Sequence, residues 1–558
     1  MLTRLKGGRV FDPAQNLNGE IGDIWFADGF IISAPGNSQM PDVDYDVSGK
    51  IIMAGAIDIH SHIAGGNVNT ARLLLPEQHR NFMARKLNHP FSTARWSTTE
   101  IGYRYAQMGY TTVVEPAILP VNALDAHLQM ADIPIIDTAG LAILGNDDFL
   151  LRLLRAKASQ NQINDYVAWT LHATKCLGLK VINAGGANAF KNNIRHFDLD
   201  DIVPDYGVSS RHILQTLQRA ACDIQLPHPV HVHCNNLGIP NNVDTAIATM
   251  EAAQGLPMHL AHIQFYGYGN EGSRGFSSAA AKLIDGFNKH PNITMDVGQV
   301  LFGQTVTISG DVIAQFSRRH DANPKKWVVW DGECEGSGGV VPYRYQAKSF
   351  VNSLQWLIGL EIFLLADDPW RLFFTTDHPN GAPFTSYPHL IRLLMDYEFR
   401  LEWLTQLNPE AVEKSLLKDL KKEFSLYEIA IMTRPAAAQM LGLKDRGHLK
   451  AGAIADIAVY HPQTDKEAMF NRADLVFKNG ELVVKNGDVK MRKNGTTQTI
   501  QPHFEPQIKR DVQDYYDQFY NLKLHNFQVE DVSFNQTDTE RFISHQCGKP
   551  YESSQSAN

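Results

Sequence analysis

The stretch Ile57-Asp58-Ile59-His60-Ser61-His62-Ile63-Ala64-Gly65-Gly66 places two histidines at the end of an apolar run. Side chains two residues apart on a β-strand point to the same face, so the imidazoles of His60 and His62 are expected to project side by side. Two imidazoles on a rigid strand form half of a transition-metal site. A buried histidine beside a surface histidine is the more ordinary explanation of such a pair. The interpretation therefore depends on further ligands elsewhere in the chain.

Beyond this stretch, apolar strand-like runs alternate with helical stretches, as parallel β/α units require. The clearest of these runs are residues 111–115, 178–183, 230–234, 258–262, 293–297 and 372–377. About eight such units predict an α/β protein with a (β/α)8 TIM-like barrel that carries insertions. A doubly wound sheet is the alternative fold, but no Gly-x-Gly-x-x-Gly motif follows an early strand.

Short strands and tight turns lie on both sides of this central region. Residues 1–52 contain a predicted hairpin around Asp28-Gly29, and residues 450–500 contain another at Asn479-Gly480. Neither segment can bury both faces of a sheet alone. We therefore predict one small β-sandwich domain built from both chain ends (1–52 plus 450–500), with the barrel (53–449) inserted between them. The aromatic residues of the C-terminal extension, 501–558, are expected to cover an apolar surface or, alternatively, to dock on a partner subunit.

The composition is typical of a globular protein, with 44% hydrophobic and 20% charged residues in a chain of 558. The formal net charge of −9 argues against a general nucleic-acid-binding protein, which carries a basic excess. The N-terminus lacks the apolar core of a signal peptide, and the most apolar later run, 354–366, is too short to span a bilayer comfortably. Five cysteines without a Cys-x-x-Cys pair fit a reducing compartment. We therefore expect a cytoplasmic protein with no membrane or nucleic-acid partner.

Metal-binding and acid–base side chains recur at the C-terminal ends of the predicted strands, the face that carries the active site in barrel enzymes. Besides His60 and His62, this set comprises Lys180, His231, His233, His262 and Asp377. His233 is the better ligand candidate than His231, because it lies nearer its strand end. His231 is expected to sit deeper as support, and His259 is expected to be structural.

Lys180 lies in an apolar strand between Leu179 and Val181, where an unpaired charge is costly to bury. Snorkelling or a salt bridge would remove that cost. The alternative is reaction of the neutral amine with carbon dioxide, which gives a carbamate (N6-carboxylysine) whose two oxygens bridge two cations. Burial lowers the pKa of a lysine and so favours the reactive amine. Asp377 could bind one metal and also accept a proton from water.

In chain order, the pattern His-x-His, Lys, His, His, Asp resembles the amidohydrolase superfamily, in the branch with dihydroorotases and hydantoinases. Residues 443–457 resemble the segment by which such chains leave the barrel and re-enter the small domain. Longer motifs resemble the A-subunit family of formylmethanofuran dehydrogenases and of bacterial formyltransferase/hydrolase complexes. These motifs are residues 60–65, 183–186, 231–238, 262–269 and 375–381. Ala184 departs from the archaeal Asn-Pro-Gly-Gly form, in which this position is proline.

The resemblance covers the chain from Met1 to at least Gly487 and implies a binuclear site with two divalent ions, of which Zn²⁺ is the first choice. The ligands that it implies are His60, His62, carboxylated Lys180, His233, His262 and Asp377. It further implies that N-formylmethanofuran is hydrolysed to formate and methanofuran in the C1 metabolism of methylotrophs, within a multisubunit complex. Asp377 would take a proton from the attacking water and pass it to the leaving amine.

The long methanofuran carrier, or an analogue of it, would lie in an open groove along residues 265–274, which include Tyr266 and Tyr268. Asn235, Tyr266 and His378 are the substrate-binding candidates, although His378 could equally be structural. Three other functions stay open at this point. The same subunit could run the reverse condensation in a dehydrogenase complex, the chain could hydrolyse cyclic amides, or it could be a non-catalytic scaffold that kept the barrel.

Overall fold

The computed structural model describes residues 1–36, 39–74, 98–192, 194, 196–309, 329–332, 336–520, 523–534 and 541–548. Eight parallel strands form its centre, each paired with the next along the chain. They are Ala56–Asp58, Tyr110–Ile118, Asp137–Leu144, Gly178–Ile182, Val230–His233, Met258–Leu260, Ile293–Asp296 and Leu372–Phe373. A parallel bridge between Ser61 and His378 joins the first strand to the eighth. The predicted barrel is confirmed.

Helices cover the outside of the barrel, so its strands are buried on both faces and read as apolar runs. The described α-helices are Gly66–Leu74, Thr98–Gln107, Ala123–Ala131, Asp148–Arg155, Gln160–Thr174, Gly186–Lys191, Ser210–Asp223, Val243–Ala252, Ala280–Asn288, Phe350–Leu365, Tyr387–Met395, Tyr397–Leu404, Pro409–Glu413, Leu426–Thr433, Pro435–Leu441, Lys466–Asn471 and Pro506–Phe519. Capping boxes, in which Ser159 pairs with Gln162 and Ser425 with Glu428, fix two of the helix starts. Phe350–Leu365 is almost entirely buried, which explains its apolar sequence.

Both chain ends build one separate sheet of nine strands. In spatial order its main path runs Asp488–Val489, Glu481–Lys485, Leu475–Lys478, Ile457–Tyr460, Ile51–Ala54, Leu2–Asp12, Leu17–Ala27 and Phe30–Ile32, with Val43–Asp46 also paired to Leu2–Asp12. Both predicted hairpins are present, at Asp28-Gly29 and at Asn479-Gly480. The two ends meet where Ile51–Ala54 pairs with Ile457–Tyr460. A small β domain made from both chain ends is therefore confirmed as part of the fold.

Two smaller sheets are inserted after the sixth and seventh barrel strands. Tyr268–Gly269 pairs with Ser277–Ser278, and Gly303–Ser309, Val329–Gly332 and Gly336–Tyr345 form a three-stranded antiparallel sheet. The three-stranded sheet packs on helix Gly66–Leu74, which follows the His-x-His motif, through Val68, Ala71 and Val306. Among the described helices, none has the length and apolar character needed to cross a bilayer.

The C-terminal extension packs on the barrel of its own chain in the part that the structure describes. Strand Thr497–Ile500 pairs with the third barrel strand, not with the small sheet, and Phe542–His545 pairs beside it. In helix Pro506–Phe519, the Tyr515 hydroxyl donates to Asp148 over 2.5 Å, and the Arg152 guanidinium lies 4.4 Å from the Phe519 ring centroid. These aromatic residues therefore cover barrel helices. Residues 549–558 lie outside the part of the chain that the structure describes. Docking of the C-terminal extension on a partner subunit therefore stays a prediction.

Candidate metal centre

The residues predicted to bind metal meet at the carboxyl ends of the barrel strands. His60 and His62 follow the first strand, Lys180 lies within the fourth, and His233 ends the fifth. The last two, His262 and Asp377, closely follow the sixth and eighth strands. The carboxyl ends of parallel barrel strands face the same rim, so these six side chains lie together although they are separated by up to 317 positions in sequence.

Asp377 Oδ1 lies at the centre of this group. It is 3.1 Å from His60 Nε2 and 3.4 Å from His62 Nε2. The His60 and His262 ring centroids are 5.3 Å apart, and those of His233 and His262 are 4.6 Å apart. One ligand atom from each of His60, His262 and Asp377 lies within 4.8 Å of the other two. Separations of this size suit donor atoms that share one ion.

Several buried polar atoms in this group form no well-aligned hydrogen bond with a described residue, although His60 Nε2 and Asp377 Oδ1 are 3.1 Å apart. They are His60 Nε2, Lys180 Nζ, His262 Nδ1 and Asp377 Oδ1. An unsatisfied buried polar atom costs about 1–3 kcal/mol, so four in one place require an explanation. A divalent ion would satisfy them, because imidazole nitrogens and a carboxylate oxygen are ordinary ligands of zinc-type metals. The donor set therefore fits a metal centre.

The pKa values of the group are strongly perturbed. Burial lowers the pKa of Lys180 to about 8, although three nearby carboxylates oppose this shift. Burial would raise the pKa of Asp377, but the imidazoles of His262 and His60 hold it well below its usual range. Burial would lower the pKa of His62, but the two carboxylates beside it raise the value to about 9. Lys180 is therefore closer to its neutral, nucleophilic form at neutral pH than an exposed lysine is.

Glu115, in the second barrel strand, supports the loop that carries His62, and the sequence reasoning missed it. One of its carboxylate oxygens is 3.0 Å from His62 Nδ1. The other accepts the backbone N–H groups of Ile63 and Ala64 over 2.7 and 3.0 Å. A signal was present in the sequence, because Glu115 ends the predicted strand 111–115, as the proposed ligands end theirs.

Asp296 is a second missed residue, at the end of the seventh barrel strand, and it is fully buried. Its Oδ2 atom is 3.2 Å from His60 Nδ1 and 3.0 Å from His259 Nε2. Its Oδ1 atom accepts the backbone N–H of His262 over 3.0 Å and the hydroxyl of Thr375 over 2.6 Å. A single carboxylate thus holds residues that follow the first, sixth and eighth strands, and its strand-end position was again the signal.

The two histidines predicted to be supporting lie below the ligand group. His231 Nε2 is 3.0 Å from His60 Nδ1, and His231 pairs in strand register with Lys180 on one side and His259 on the other. His259 bonds Asp296 through Nε2 and Thr294 through Nδ1. Both rings are fully buried. They occupy the layer beneath the metal-type residues, at the depth that their positions in the strands predict.

Three non-glycine residues at this rim adopt the left-handed backbone region, which is uncommon for residues with a Cβ atom. Their φ angles are 44° at Asn183, 36° at His262 and 50° at Asp377. Gly298 lies against one of them, because a Cβ added to Gly298 would be 2.4 Å from His262 Cβ. Such conformations persist where the surroundings impose them, and here they turn two proposed ligands toward the same point.

The prediction that Tyr266 and Tyr268 line an open groove along residues 265–274 is wrong. Tyr266 and Tyr268 are fully buried, so they cannot line an open groove in this chain. The Tyr266 hydroxyl donates to the Cys234 carbonyl over 2.8 Å, and its ring stacks on His262 at 5.9 Å. Asn235, another predicted substrate residue, is 2% exposed and donates to the Ser210 hydroxyl over 2.9 Å. Asn235 and Tyr266 are thus buried in this chain, and their role in substrate binding stays a prediction.

His378, the third predicted substrate residue, is half-buried beside Asp377. Its Nδ1 atom accepts the backbone N–H of Phe384 over 3.2 Å, and its ring meets the Phe384 ring edge-on. Burial lowers its pKa to about 3. Its carbonyl accepts the backbone N–H of His62 over 2.8 Å, which joins the two ends of the barrel. His378 therefore has a structural contact whether or not it also faces a substrate.

The comparisons with known proteins agree on one family for this chain. The family model described as "Amidohydrolase family" matches residues 45–489. The A component of the formyltransferase/hydrolase complex Fhc of Methylorubrum extorquens is 48% identical over 539 residues, which is 96% of this chain and 97% of that protein. Protein FwdA of Methanocaldococcus jannaschii is 36% identical over 557 residues, 95% of this chain and 97% of its own. The crystal structure of the M. extorquens formyltransferase/hydrolase complex with methylofuran matches with a TM-score of 0.92 and 46% identity, over 98% of this chain and 100% of that one.

Proposed function

This chain belongs to the amidohydrolase family, and we propose that it hydrolyses the N-formyl group of a methanofuran-type carrier to formate and the free amine. It would do so as the hydrolase component of a formyltransferase/hydrolase complex. The observation that carries this proposal is the near full-length likeness to the A component of Fhc, whose complex was crystallised with methylofuran. The barrel, residues 53–449, contains every proposed ligand. The small domain and the C-terminal extension would serve folding and assembly.

We infer that the ligands of two divalent ions, with Zn²⁺ as the first choice, are His60, His62, carboxylated Lys180, His233, His262 and Asp377. The buried amine of Lys180 and its lowered pKa support the carbamate, because only the neutral amine reacts with carbon dioxide. Ions bound there would lower the pKa of water and polarise the formyl oxygen. The four unsatisfied buried atoms support a centre at this position.

The residues of the chain have separate tasks in this scheme. The Asp377 carboxylate would take a proton from the attacking water and deliver it to the amine nitrogen as the C–N bond breaks. Its Oδ1 atom lies 3.1 Å from His60 Nε2 and 3.4 Å from His62 Nε2, among the residues that would hold the ions. Glu115 and Asp296 keep two of the histidines oriented through their outer ring nitrogens. The formyl carbon bears only hydrogen beyond its carbonyl, so a tightly packed pocket can admit it.

The reverse reaction, condensation of formate with the amine, is the second candidate, because the sequence motifs also resemble the A subunits of formylmethanofuran dehydrogenases and FwdA matches 95% of this chain. Hydrolysis is favoured by the higher identity to the Fhc protein. Partner proteins separate the two functions, because condensation would require one that supplies formate. Identification of the proteins that copurify with this chain therefore distinguishes them.

The central test is Lys180→Ala in the purified complex, with N-formyl substrate, hydantoin and dihydropyrimidine assayed in parallel. Loss of the carbamate should remove most of the bound metal and reduce formamide hydrolysis at least 100-fold. Added short-chain carboxylic acids should restore part of the rate, since they can fill the space of the bridge. Lys282→Ala, which removes a half-exposed lysine paired with Asp244, is the matched control. Wild-type metal content and rate in Lys180→Ala would refute the bridging role.

A further inference from the structure

The outer nitrogen of His60 is held on the side of the ring that faces away from Asp377. His60 Nδ1 is 3.0 Å from His231 Nε2 and 3.2 Å from Asp296 Oδ2. A neutral imidazole carries hydrogen on one nitrogen and a lone pair on the other, so the partner at Nδ1 decides what Nε2 can do. This inference rests on the proposed function, in which His60 Nε2 binds metal and must offer its lone pair.

A series of hydrogen bonds inside the barrel fixes the hydrogen on His60 Nδ1. It begins at the Met440 carbonyl, which can only accept and lies 3.2 Å from His228 Nδ1. His228 therefore donates from Nδ1, and its Nε2 atom must accept from His231 Nδ1, 3.3 Å away. His231 Nε2 is then left as an acceptor for His60 Nδ1–H. The three rings are fully buried, and burial lowers the pKa of His228 to about 3, so His228 is neutral at neutral pH.

The contact between Asp296 and His60 also requires hydrogen on His60 Nδ1, independently of the histidine series. An ionised carboxylate is an acceptor only, so its Oδ2 atom also requires hydrogen on His60 Nδ1. Two donors, the His262 backbone N–H and the Thr375 hydroxyl, hold the other oxygen. The carboxylate cannot turn without breaking one of these bonds. Two acceptors from different strands thus select one tautomer of His60.

We propose that Asp296 and His231 are positioning residues that keep hydrogen on His60 Nδ1 and leave the Nε2 lone pair available to the metal. Histidines that bind metal commonly donate their other ring N–H to a carboxylate or carbonyl group, and loss of that partner typically weakens metal binding roughly 10- to 100-fold. Here the acceptor is duplicated. One acceptor is a carboxylate and the other is the end of a histidine series anchored on the backbone carbonyl of Met440, far away along the chain.

Asp296→Asn is the sharpest perturbation. The two donors at Oδ1 require an oxygen there, so the new amide NH₂ must occupy the Oδ2 position, where it faces both His60 Nδ1 and His259 Nε2 as a donor. His60 is then pushed toward the other tautomer, with hydrogen on Nε2. We expect the Zn²⁺ dissociation constant of the full chain, measured by competition with a chromogenic chelator, to increase roughly 10- to 100-fold at one site. ¹⁵N-histidine NMR of the metal-free chain should show His60 losing its Nδ1–H signal.

A pair of substitutions at His231 separates positioning from packing. His231→Gln puts an amide oxygen near the Nε2 position and should stay within about threefold of the wild-type Zn²⁺ affinity, whereas His231→Leu should lose about tenfold. His127→Leu removes another fully buried imidazole, in helix Ala123–Ala131, and is the control for general destabilisation. If Asp296→Asn does not fold, the difference in Zn²⁺ affinity between His231→Gln and His231→Leu still tests the positioning role.

Wild-type Zn²⁺ affinity and an unchanged His60 tautomer in Asp296→Asn, or equal losses in His231→Gln, His231→Leu and His127→Leu, would overturn the proposal. The outcome is distinguishable from failure of the proposed function. A wild-type chain that binds Zn²⁺ but does not hydrolyse the N-formyl substrate would refute the hydrolysis, while the tautomer and affinity measurements would still test the positioning role.

Discussion

A buried ion cluster joins the small sheet to the barrel and gives a testable prediction of stability. Lys478 Nζ lies 2.8 Å from Asp137 Oδ2 and 2.8 Å from Asp456 Oδ2, and Arg446 Nη1 lies 2.7 Å from Asp137 Oδ2. None of the four residues is more than 2% exposed. The substitution Lys478→Met keeps most of the side-chain length but removes the charge. Asp456 then loses its lysine partner, and Asp137 keeps only Arg446 from this cluster.

Removal of one partner from a buried ion pair costs about 3–5 kcal/mol, because the remaining charge stays buried without compensation. Since about 1.4 kcal/mol is a factor of ten, the unfolding equilibrium should shift about 100- to 4000-fold. This is a large share of the roughly 5–15 kcal/mol by which domains are stable. Asp137 begins the third barrel strand, at the end of the barrel opposite the metal centre. The Zn²⁺ content of the folded variant should therefore equal that of the wild type.

The assay is urea unfolding of the full chain, followed by tryptophan fluorescence and by circular dichroism. Lys493→Met is the matched control, because Lys493 forms an ion pair with Glu481 at 2.5 Å whose side chains are 19% and 52% exposed. Such a surface pair contributes about 0–1 kcal/mol. If Lys478→Met is destabilised by no more than about 1 kcal/mol beyond Lys493→Met, the cluster does not hold the two parts of the chain together as argued.

Acidification provides a second measurement on the same variant. Burial would raise the pKa of Asp137, but Lys478 and Arg446 hold it well below its usual range. A depressed pKa in the folded state contributes stability that is present above the unfolded value of about 3.9 and is lost as the pH falls below it. Without Lys478, the pKa of Asp137 in the folded state is lowered less, so the variant loses less stability on acidification than the wild type does. The stability difference between wild type and Lys478→Met should therefore stay constant above about pH 5 and narrow as the pH falls below about 4.

Two further predictions concern the metal centre. Gly298→Ala puts a methyl group 2.4 Å from His262 Cβ, so the Zn²⁺ affinity measured by chelator competition should fall about tenfold. Gly207→Ala is the control, because Gly207 has a similar positive φ and open space around it, and this variant should retain the wild-type affinity. Asp377→Asn should keep most of the bound metal while kcat for formamide hydrolysis falls about 10²- to 10⁴-fold, and an unchanged kcat would exclude Asp377 as the base.

The fold was predictable because its signals are local. Runs such as 178–183 and 293–297 are apolar and short, and each lies between helical stretches. The Asp28-Gly29 turn and the Asn479-Gly480 turn each indicated one hairpin of the small sheet. The placement of Thr497–Ile500 was not predictable. Its sequence, Thr-Gln-Thr-Ile, follows the strands of the small sheet along the chain, and only its long-range pairing with the third barrel strand assigns it to the barrel.

The supporting carboxylates were missed for a different reason. Asp296 ends its strand and Glu115 lies three residues before the end of strand Tyr110–Ile118, and an acidic residue near a strand end can be a metal ligand, a base or a partner for a histidine. Distances between strands cannot be read from a sequence, so the contact of Asp296 with His60, 236 positions earlier, was hidden. Similarly, the aromatic loop 265–274 was expected to be open because tyrosines are common in binding grooves, whereas long-range packing buries Tyr266 and Tyr268.

The two His-x-His motifs show why spacing alone does not assign a ligand. Both pairs place their imidazoles on one face, but His231 lies level with Lys180 and His233 lies level with Ile182, nearer the rim. At the deeper level, Lys180 has a buried amine with the Asp296 and Asp377 carboxylates nearby, whereas the His231 ring lies against Nδ1 of His60. The same layer can therefore supply a proposed metal ligand from one strand and only a hydrogen-bond partner from the next.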